Sequence, residues 1–249
     1  MKSSWKIAIV GSNALAASLR DLASVVSDIE LVPLYEGVDI DAVIETTNLD
    51  LAEKKQNLQQ IEEHVSGDTL ILSSCLGVTA TETASWLLHP ARLVGFATFA
   101  QQEEVELIEM APALQTDPVF LERTSQLFHA IGREIEVVDD QVGLVFPRIL
   151  SMIINEAVFA RMERVATAED IDTAMQKGTN YPMGPLAWAD EVGIDDVYAV
   201  LAGLYRELGE ERYRPAALLK KMIYAGWLGK RCGRGFYRYD HQGVRETVA

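Results

Sequence analysis

The stretch KIAIVGSNALAASLRDLASVVS, residues 6–27, decides the fold class of this chain. Its first five residues are rich in Ile, Val and Ala, which predicts a short buried strand, and Gly11 predicts a tight turn after it. Leucines then recur at helical spacing through residues 14–27, which predicts an amphipathic helix. A strand, a turn and a helix in this order are typical of the first half of a βαβ unit.

The same alternation continues outward from this unit through the first half of the chain. Further strands are predicted at 29–35, 41–47, 69–74, 92–99 and 134–139. Helices are predicted between them at 50–65, 79–88 and 116–131. Strands that alternate with helices indicate a Rossmann-like α/β domain, in which helices cover a parallel sheet.

After Gly143 the strand patterns stop and only helical patterns remain. Helices are predicted at 147–166, 168–177, 185–192, 195–208 and 215–225. We therefore predict two domains, a Rossmann-like domain at 1–142 and an all-helical domain at 143–249.

Composition excludes several classes of partner. The formal net charge is −15 and the pI is about 4.7, so nucleic acid and anionic membrane surfaces would be repelled. No stretch is long and apolar enough to span a membrane, and IAIVG (7–11) is too short for the core of a signal peptide. Cys75 and Cys232 lie far apart without metal-ligand spacing, which predicts no metal and a reduced, cytoplasmic setting.

The turn after the first strand reads GSNALA and stands where a dinucleotide fingerprint, G-x-G-x-x-G, would lie. Gly11 fits the first glycine and Ala16 is a tolerated third residue, but Asn13 replaces the second glycine, where the backbone approaches the pyrophosphate. Glu36 is the candidate acidic residue for the ribose hydroxyls. This pattern predicts that NAD binds weakly or not at all. The alternative is an intact NAD site.

The last third of the chain carries a resemblance to a known family. PMGP at 182–185, followed by Asp190, Gly193 and Asp195, and the run GRGFY at 233–237 closely resemble the C-terminal domain of 3-hydroxyacyl-CoA dehydrogenases. The resemblance extends over nearly the whole chain. It implies NAD as the cofactor, a 3-hydroxyacyl-CoA as the substrate and a homodimer formed through the helical domain.

The resemblance also assigns the catalytic positions, and most of them have changed. The family uses a His that accepts the hydroxyl proton, a Glu that orients this His, and a Ser and an Asn that hold the substrate oxygen. Ala97, Gly77 and Pro147 stand here at the His, Ser and Asn positions, and Cys75 stands where an Asn near the nicotinamide is expected. Glu109 alone matches. We expect Glu109 to be buried and hydrogen-bonded to the backbone or to water.

The other residues that could take part in catalysis or coenzyme A binding have structural interpretations instead. The four histidines, His64, His89, His129 and His241, fall in predicted surface or helix-capping positions. Cys75 has no basic neighbour in the sequence, which favours an inert buried thiol. A Lys-rich helical hairpin that helps the family to hold coenzyme A is missing after Tyr35, and we interpret Lys54 and Lys55 as a solvated helix face.

Two hypotheses of function follow. The first is a divergent member of this family that lacks normal dehydrogenase turnover and acts as a binding, regulatory or structural partner. The second is an NAD-dependent oxidoreductase on 3-hydroxyacyl-CoA or a related 3-hydroxy substrate, with Glu109 or a water in place of the missing His. An acidic surface and few basic residues also make acyl-CoA a doubtful ligand.

Overall fold

The computed structural model describes residues 4–35, 37–100 and 107–246. The chain divides into two compact units, Met1–Val145 and Phe146–Ala249, and each is described by itself below.

The first unit is a sheet of seven strands within the described residues. The strands are β1 (Trp5–Val10), β2 (Ile29–Leu31), β3 (Ala42–Glu45), β4 (Leu70–Ser74), β5 (Leu93–Ala97), β6 (Leu107–Pro112) and β7 (Glu134–Val137). Their spatial order is β2-β1-β3-β4-β5-β6-β7. Four helices accompany them: α1 (Ala14–Ser24), α2 (Leu51–His64), α3 (Ala80–Ala84) and α4 (Pro118–Ala130). The predicted Rossmann-like class is confirmed.

The expectation of a wholly parallel sheet is wrong at one strand. Strand β6, which matches none of the predicted strands, runs antiparallel to β5, whereas the other five strand pairs of the described sheet are parallel. The register places Ala97 of β5 directly opposite Glu109 of β6. The antiparallel strand thereby brings a carboxylate beside the end of β5.

Local rules explain where the helices of this unit begin. Asp117 caps α4 by accepting a hydrogen bond from the Val119 amide, and Pro118 occupies the first helical turn. Helix α1 buries Leu15, Leu19 and Ala23 against the sheet, as its leucine spacing predicts. These residues belong to one core with the side chains of β1, β3 and β4.

The second unit contains five helices within the described residues. They are α5 (Phe146–Met162), α6 (Ala168–Thr179), α7 (Pro185–Val192), α8 (Ile194–Leu208) and α9 (Ala217–Tyr224). Helix α5 packs on α7 and α8 through a buried stripe that includes Leu150, Ile154 and Val158. Thr167 caps α6 by accepting a hydrogen bond from the Asp170 amide.

Two buried aspartates explain the sequence signature of this unit. Asp172 accepts hydrogen bonds from the amides of Leu186 and Ala187 at the start of α7. Asp190 accepts them from the amides of Phe236 and Tyr237, at 2.8 and 2.9 Å. These carboxylates therefore tie the PMGP and GRGFY runs to the helices by backbone hydrogen bonds.

The close approach of the tail to α7 also explains a glycine of the signature. A Cβ at Gly235 would collide with the carboxylate of Asp190. The Tyr239 hydroxyl completes this contact by donating to Asp190 at 3.0 Å. The GRGFY run is thus a packing element of the helical unit.

No helix among residues 4–35, 37–100 and 107–246 has the length and apolar character needed to cross a membrane.

Candidate functional site

The candidate site lies at the carboxyl edge of the parallel strands in the first unit. The chain leaves β1 toward β2 on one side, and β3 then pairs with β1 on the other side. Such a reversal of strand order opens a crevice at the ends of the two central strands, where α/β proteins bind their ligands. The turn after β1 and the residues after β3 flank this crevice.

The turn after β1 is held closed by its own side chains. Gly11 has φ +125°, and a Cβ there would collide with Thr46 Oγ1 at the end of β3. Asn13 caps α1, because its Oδ1 accepts the Ala16 amide at 3.0 Å. Its Nδ2 donates to the carbonyl of Thr46 at 2.5 Å. Arg20 donates to the carbonyls of Ile9 and Gly11, at 2.8 and 3.0 Å.

Part of the phosphate-binding end of this turn is already occupied by the side chain of Asn13. A pyrophosphate at a βαβ turn binds to the free backbone N–H groups at the start of the helix. Here the Ala16 amide is already bonded to Asn13, whose side chain lies over the first turn of α1 and reaches β3. Of the predicted NAD contacts, Gly11, Asn13 and Ala16 do lie together at this turn. Glu36 lies outside the described residues.

The interpretation of Lys54 as a solvated residue is wrong. Lys54 and Glu45 are both fully buried, and Lys54 Nζ donates to Glu45 Oε2 and, at 2.9 Å, to the carbonyl of Thr47. Asn57 donates to Thr47 Oγ1 at 3.1 Å, and the Thr47 amide donates to Glu45 Oε1. A buried ion pair therefore stands at the carboxyl end of β3. Lys55 is exposed, as predicted.

A spacing in the sequence would have revealed this burial. Lys54, Leu58 and Ile61 are the buried residues of α2, and they follow one another at intervals of four and three. Such intervals place side chains on one face of a helix, which here faces the sheet. A lysine on an apolar stripe needs a buried partner, and Glu45 supplies it.

The turn after β4 is buried and offers no catalytic group. Cys75 is fully buried, and burial raises the pKa of its thiol well above the ordinary value. A Cβ at Gly95 would collide with the Cys75 sulfur, so the thiol fills the space that this glycine leaves. The predicted burial of Cys75 is confirmed, and a buried thiol with a raised pKa is a poor nucleophile. Gly77 follows in the same turn and contributes no side chain.

The surviving carboxylate of the catalytic pattern is engaged by the backbone. Glu109 is 7% exposed, and its Oε2 accepts the amide of Val145 at 2.8 Å. The burial and backbone hydrogen bond expected for this residue are thus confirmed. Ala97, opposite it in the β5–β6 ladder, is 2% exposed and presents only a methyl group to the carboxylate.

The remaining candidates offer no replacement for the missing imidazole. Pro147 is buried in the first turn of α5, where its ring has no hydrogen-bond donor. All four histidines are exposed, as predicted: His64, His89, His129 and His241. Within the described parts of the chain, no three His, Cys, Asp or Glu side chains are grouped so that they could hold a metal ion.

Comparisons with known proteins agree with this architecture. Residues 7–141 match the family model of the 3-hydroxyacyl-CoA dehydrogenase NAD binding domain, and residues 143–239 match that of the C-terminal domain. The probable 3-hydroxybutyryl-CoA dehydrogenase of Bacillus subtilis is 34% identical over 84% of this chain and 73% of its own length. The 3-hydroxybutyryl-CoA dehydrogenase of Clostridioides difficile is 34% identical over 88% of this chain and 78% of its own.

A solved structure gives the same result. The crystal structure of (S)-3-hydroxybutyryl-CoA dehydrogenase PaaH1 from Ralstonia eutropha superposes with a TM-score of 0.77 at 27% identity, covering 96% of this chain and 100% of that chain. Two matched domain models and relatives of this similarity establish the family. The chain belongs to the 3-hydroxyacyl-CoA dehydrogenase family.

Proposed function

We propose that this protein lacks normal 3-hydroxyacyl-CoA dehydrogenase turnover and acts as a binding, regulatory or structural partner. The observation that carries the proposal is the pair formed by Ala97 and Glu109. A buried carboxylate stands ready to orient an imidazole and to stabilise its protonated form, but the residue opposite has no titratable group. Glu109 is bonded to a backbone amide instead.

The expected loss of rate is large. A general base contributes about 10²–10⁴-fold to the rate of a proton-transfer step. The positions that would hold the substrate oxygen are also empty of donors, because Gly77 has no side chain and Pro147 has no side-chain N–H or O–H. The missing general base and the two missing donors each raise the activation barrier, and Glu109 alone does not compensate for them.

The second candidate function is an NAD-dependent oxidoreductase on a 3-hydroxyacyl-CoA or a related 3-hydroxy substrate. It is favoured by the retention of Glu109 as a buried carboxylate and by the names of the relatives. In this alternative Glu109, or a water bound to it, accepts the hydroxyl proton directly, as a carboxylate in apolar surroundings can.

One assay separates the two candidates. NADH oxidation with acetoacetyl-CoA, the ketone form of a 3-hydroxybutyryl-CoA substrate, is measured for the wild type and for Glu109→Gln. We expect no NADH consumption above the background rate in either protein. Clear activity that disappears in Glu109→Gln would overturn the first proposal and establish the second, since the glutamine keeps the size of the side chain but cannot accept the proton.

Coenzyme A binding is also doubtful. The connection between β2 and β3 spans only residues 32–41, and its described residues, all but Glu36, contain no helix. The short connection supports the absence of the Lys-rich helical hairpin that the family has at this point. The first unit offers few cations for a phosphorylated coenzyme, because Lys54 is buried in an ion pair. We propose that acyl-CoA binds weakly or not at all.

We propose a homodimer formed through the helical unit. Along α5, Ile149 is 55% exposed, and Met152 and Ile153 are half-buried, although all three are apolar. Ala157, on the same stripe, is buried within the unit. An apolar stripe of this kind is typical of a face that a partner covers. Sedimentation at micromolar concentration should give a dimer, and a monomer would contradict the proposal.

The two free cysteines are consistent with a cytoplasmic location.

A further inference from the structure

Asn13, in the turn after β1, is held by hydrogen bonds to Thr46 at the end of β3. We propose that Thr46 acts as a positioning residue that locks Asn13 across the phosphate-binding position, and that this pair determines which ligands the turn accepts. Sequence patterns point to Asn13 alone. Thr46 lies 33 residues away and meets it only because β1 and β3 are paired in the register that sets Val10 beside Glu45.

The hydrogen bonds fix the orientation of the Asn13 amide group. Its oxygen faces the Ala16 N–H at 3.0 Å, and its nitrogen faces the Thr46 carbonyl at 2.5 Å. A rotation that exchanged the oxygen and the nitrogen would point the Asn13 NH₂ donor at the Ala16 N–H donor. It would also point the Asn13 oxygen at the Thr46 carbonyl, another acceptor. The side chain therefore has one satisfied orientation, in which it bridges the start of α1 and the end of β3.

The Thr46 hydroxyl strengthens this bridge. Thr46 is fully buried, and its Oγ1 lies 3.0 Å from Asn13 Oδ1 and 3.1 Å from the carbonyl of Val10. A hydroxyl has one proton, which these two acceptors share. The same oxygen packs against the Cα of Gly11, where a Cβ would collide with it. Thr46 thus contacts both Gly11 and Asn13 of the turn.

The Ala16 amide at the start of α1 therefore already has a hydrogen-bond partner within the chain, the side chain of Asn13. A dinucleotide could bind only after Asn13 gives up its bonds to Ala16 and to Thr46. Breaking a cap and a buried hydrogen bond opposes binding. A ligand without a phosphate at this position does not require that change. The pair therefore selects against pyrophosphate-containing ligands in particular.

A double-mutant cycle tests the lock. NADH binding is measured by its fluorescence for the wild type, N13G, T46A and the double variant. We expect N13G to tighten NADH binding by about tenfold or more, and T46A by about threefold. If Thr46 acts through Asn13, adding T46A to N13G brings no further gain. T46S, which keeps the hydroxyl, is the matched control and should bind NADH like the wild type.

Adenosine, titrated calorimetrically, supplies a readout that a general loosening of the domain would also move. It has no pyrophosphate, so N13G should leave its affinity unchanged. Three results would overturn the proposal: equal NADH affinity of the wild type and N13G, including no binding by either; the same gain from T46A in both backgrounds; or an equal gain for adenosine. Asn13→Ser, which keeps the cap but cannot reach Thr46, gives an intermediate gain and replaces N13G if that variant does not fold.

The lock formed by Asn13 and Thr46 is tested independently of the proposed loss of turnover, because every titration is made without an acyl-CoA substrate. A protein that turns over could still possess the lock, and an inactive one could lack it.

Discussion

Positions 97 and 109 carry the proposed loss of turnover. Ala97 and Glu109 face each other across an antiparallel pair, where Cβ atoms lie about 4.5–5.5 Å apart. An imidazole at position 97 would therefore reach the carboxylate. The strand pairing sets the two positions opposite each other, and position 97 carries no titratable group.

Restoring that partner should not restore turnover. In Ala97→His the imidazole gains the Glu109 carboxylate, which should raise the pKa of the new histidine above about 6.5. NADH-dependent reduction of acetoacetyl-CoA should nevertheless stay at background, because Gly77 and Pro147 give the substrate oxygen no donor. NMR titration of the histidine verifies that the pair has formed, with Ala97→His/Glu109→Gln as control. Turnover in Ala97→His would show that the Ser and Asn positions are dispensable.

A second residue with an unusual environment is Asp190. Burial raises its pKa from 3.8 to about 6, against hydrogen bonds from Tyr237, Phe236 and Tyr239 that lower it, and Asp172 raises it further. The folded protein therefore binds a proton here at pH values where the unfolded chain does not. This group's contribution to stability increases as pH falls from about 7 to about 4, by up to about 3 kcal/mol.

Carbon NMR should detect this titration directly. We expect the carboxyl carbon of Asp190 to titrate with a midpoint near 6. Tyr239→Phe removes a donor to the charged form and should move the midpoint upward. A midpoint below about 4.5, near the ordinary value for an aspartate, would show that the backbone amides outweigh burial.

At the scale of elements, helix α2 depends on a buried charge. Lys54 lies on the stripe that faces the sheet, and Glu45 is its ion-pair partner. Removing one member of a buried pair leaves the other charge uncompensated, which costs more than the pair itself contributes.

Lys54→Met should accordingly lower the free energy of unfolding by about 3–5 kcal/mol. The neighbouring Lys55→Met is the matched control, since Lys55 is exposed, and it should change stability by less than about 0.5 kcal/mol. Urea denaturation of the two variants measures the difference. Equal stability of the two variants would contradict a dependence of α2 on the Lys54–Glu45 pair.

The elements also show what the sequence could and could not reveal. Periodicity predicted α1, because Leu15, Leu19 and Ala23 bury one regular face of that helix. It missed β6, where Pro112 ends the run and Glu109 interrupts it with a buried charge. It could not find Thr46 as the partner of Asn13, because that contact depends on the pairing of two strands that are distant in the chain.

At the scale of the whole molecule, the charge is distributed unevenly. Residues 1–145 hold eight Lys and Arg against 23 Asp and Glu, so they carry the entire net charge of −15. Residues 146–249 hold 14 of each sign and are formally neutral. A unit whose relatives bind a negatively charged dinucleotide is therefore strongly acidic here, which opposes such a ligand and also strains the folded state by self-repulsion.

This asymmetry predicts a salt response confined to the first unit. Raising NaCl from about 10 to about 100 mM shortens the Debye length from about 30 to about 10 Å, so the thermal midpoint should rise. Replacing the exposed Glu30, Glu63 and Glu134 by Gln should raise the midpoint at low salt and reduce its salt dependence. Replacing the exposed Glu156 and Glu207 of the neutral unit by Gln should change neither the midpoint at low salt nor its salt dependence. An equal response to both sets, followed by calorimetry, would mean that local pairs rather than the net charge of the first unit set its stability.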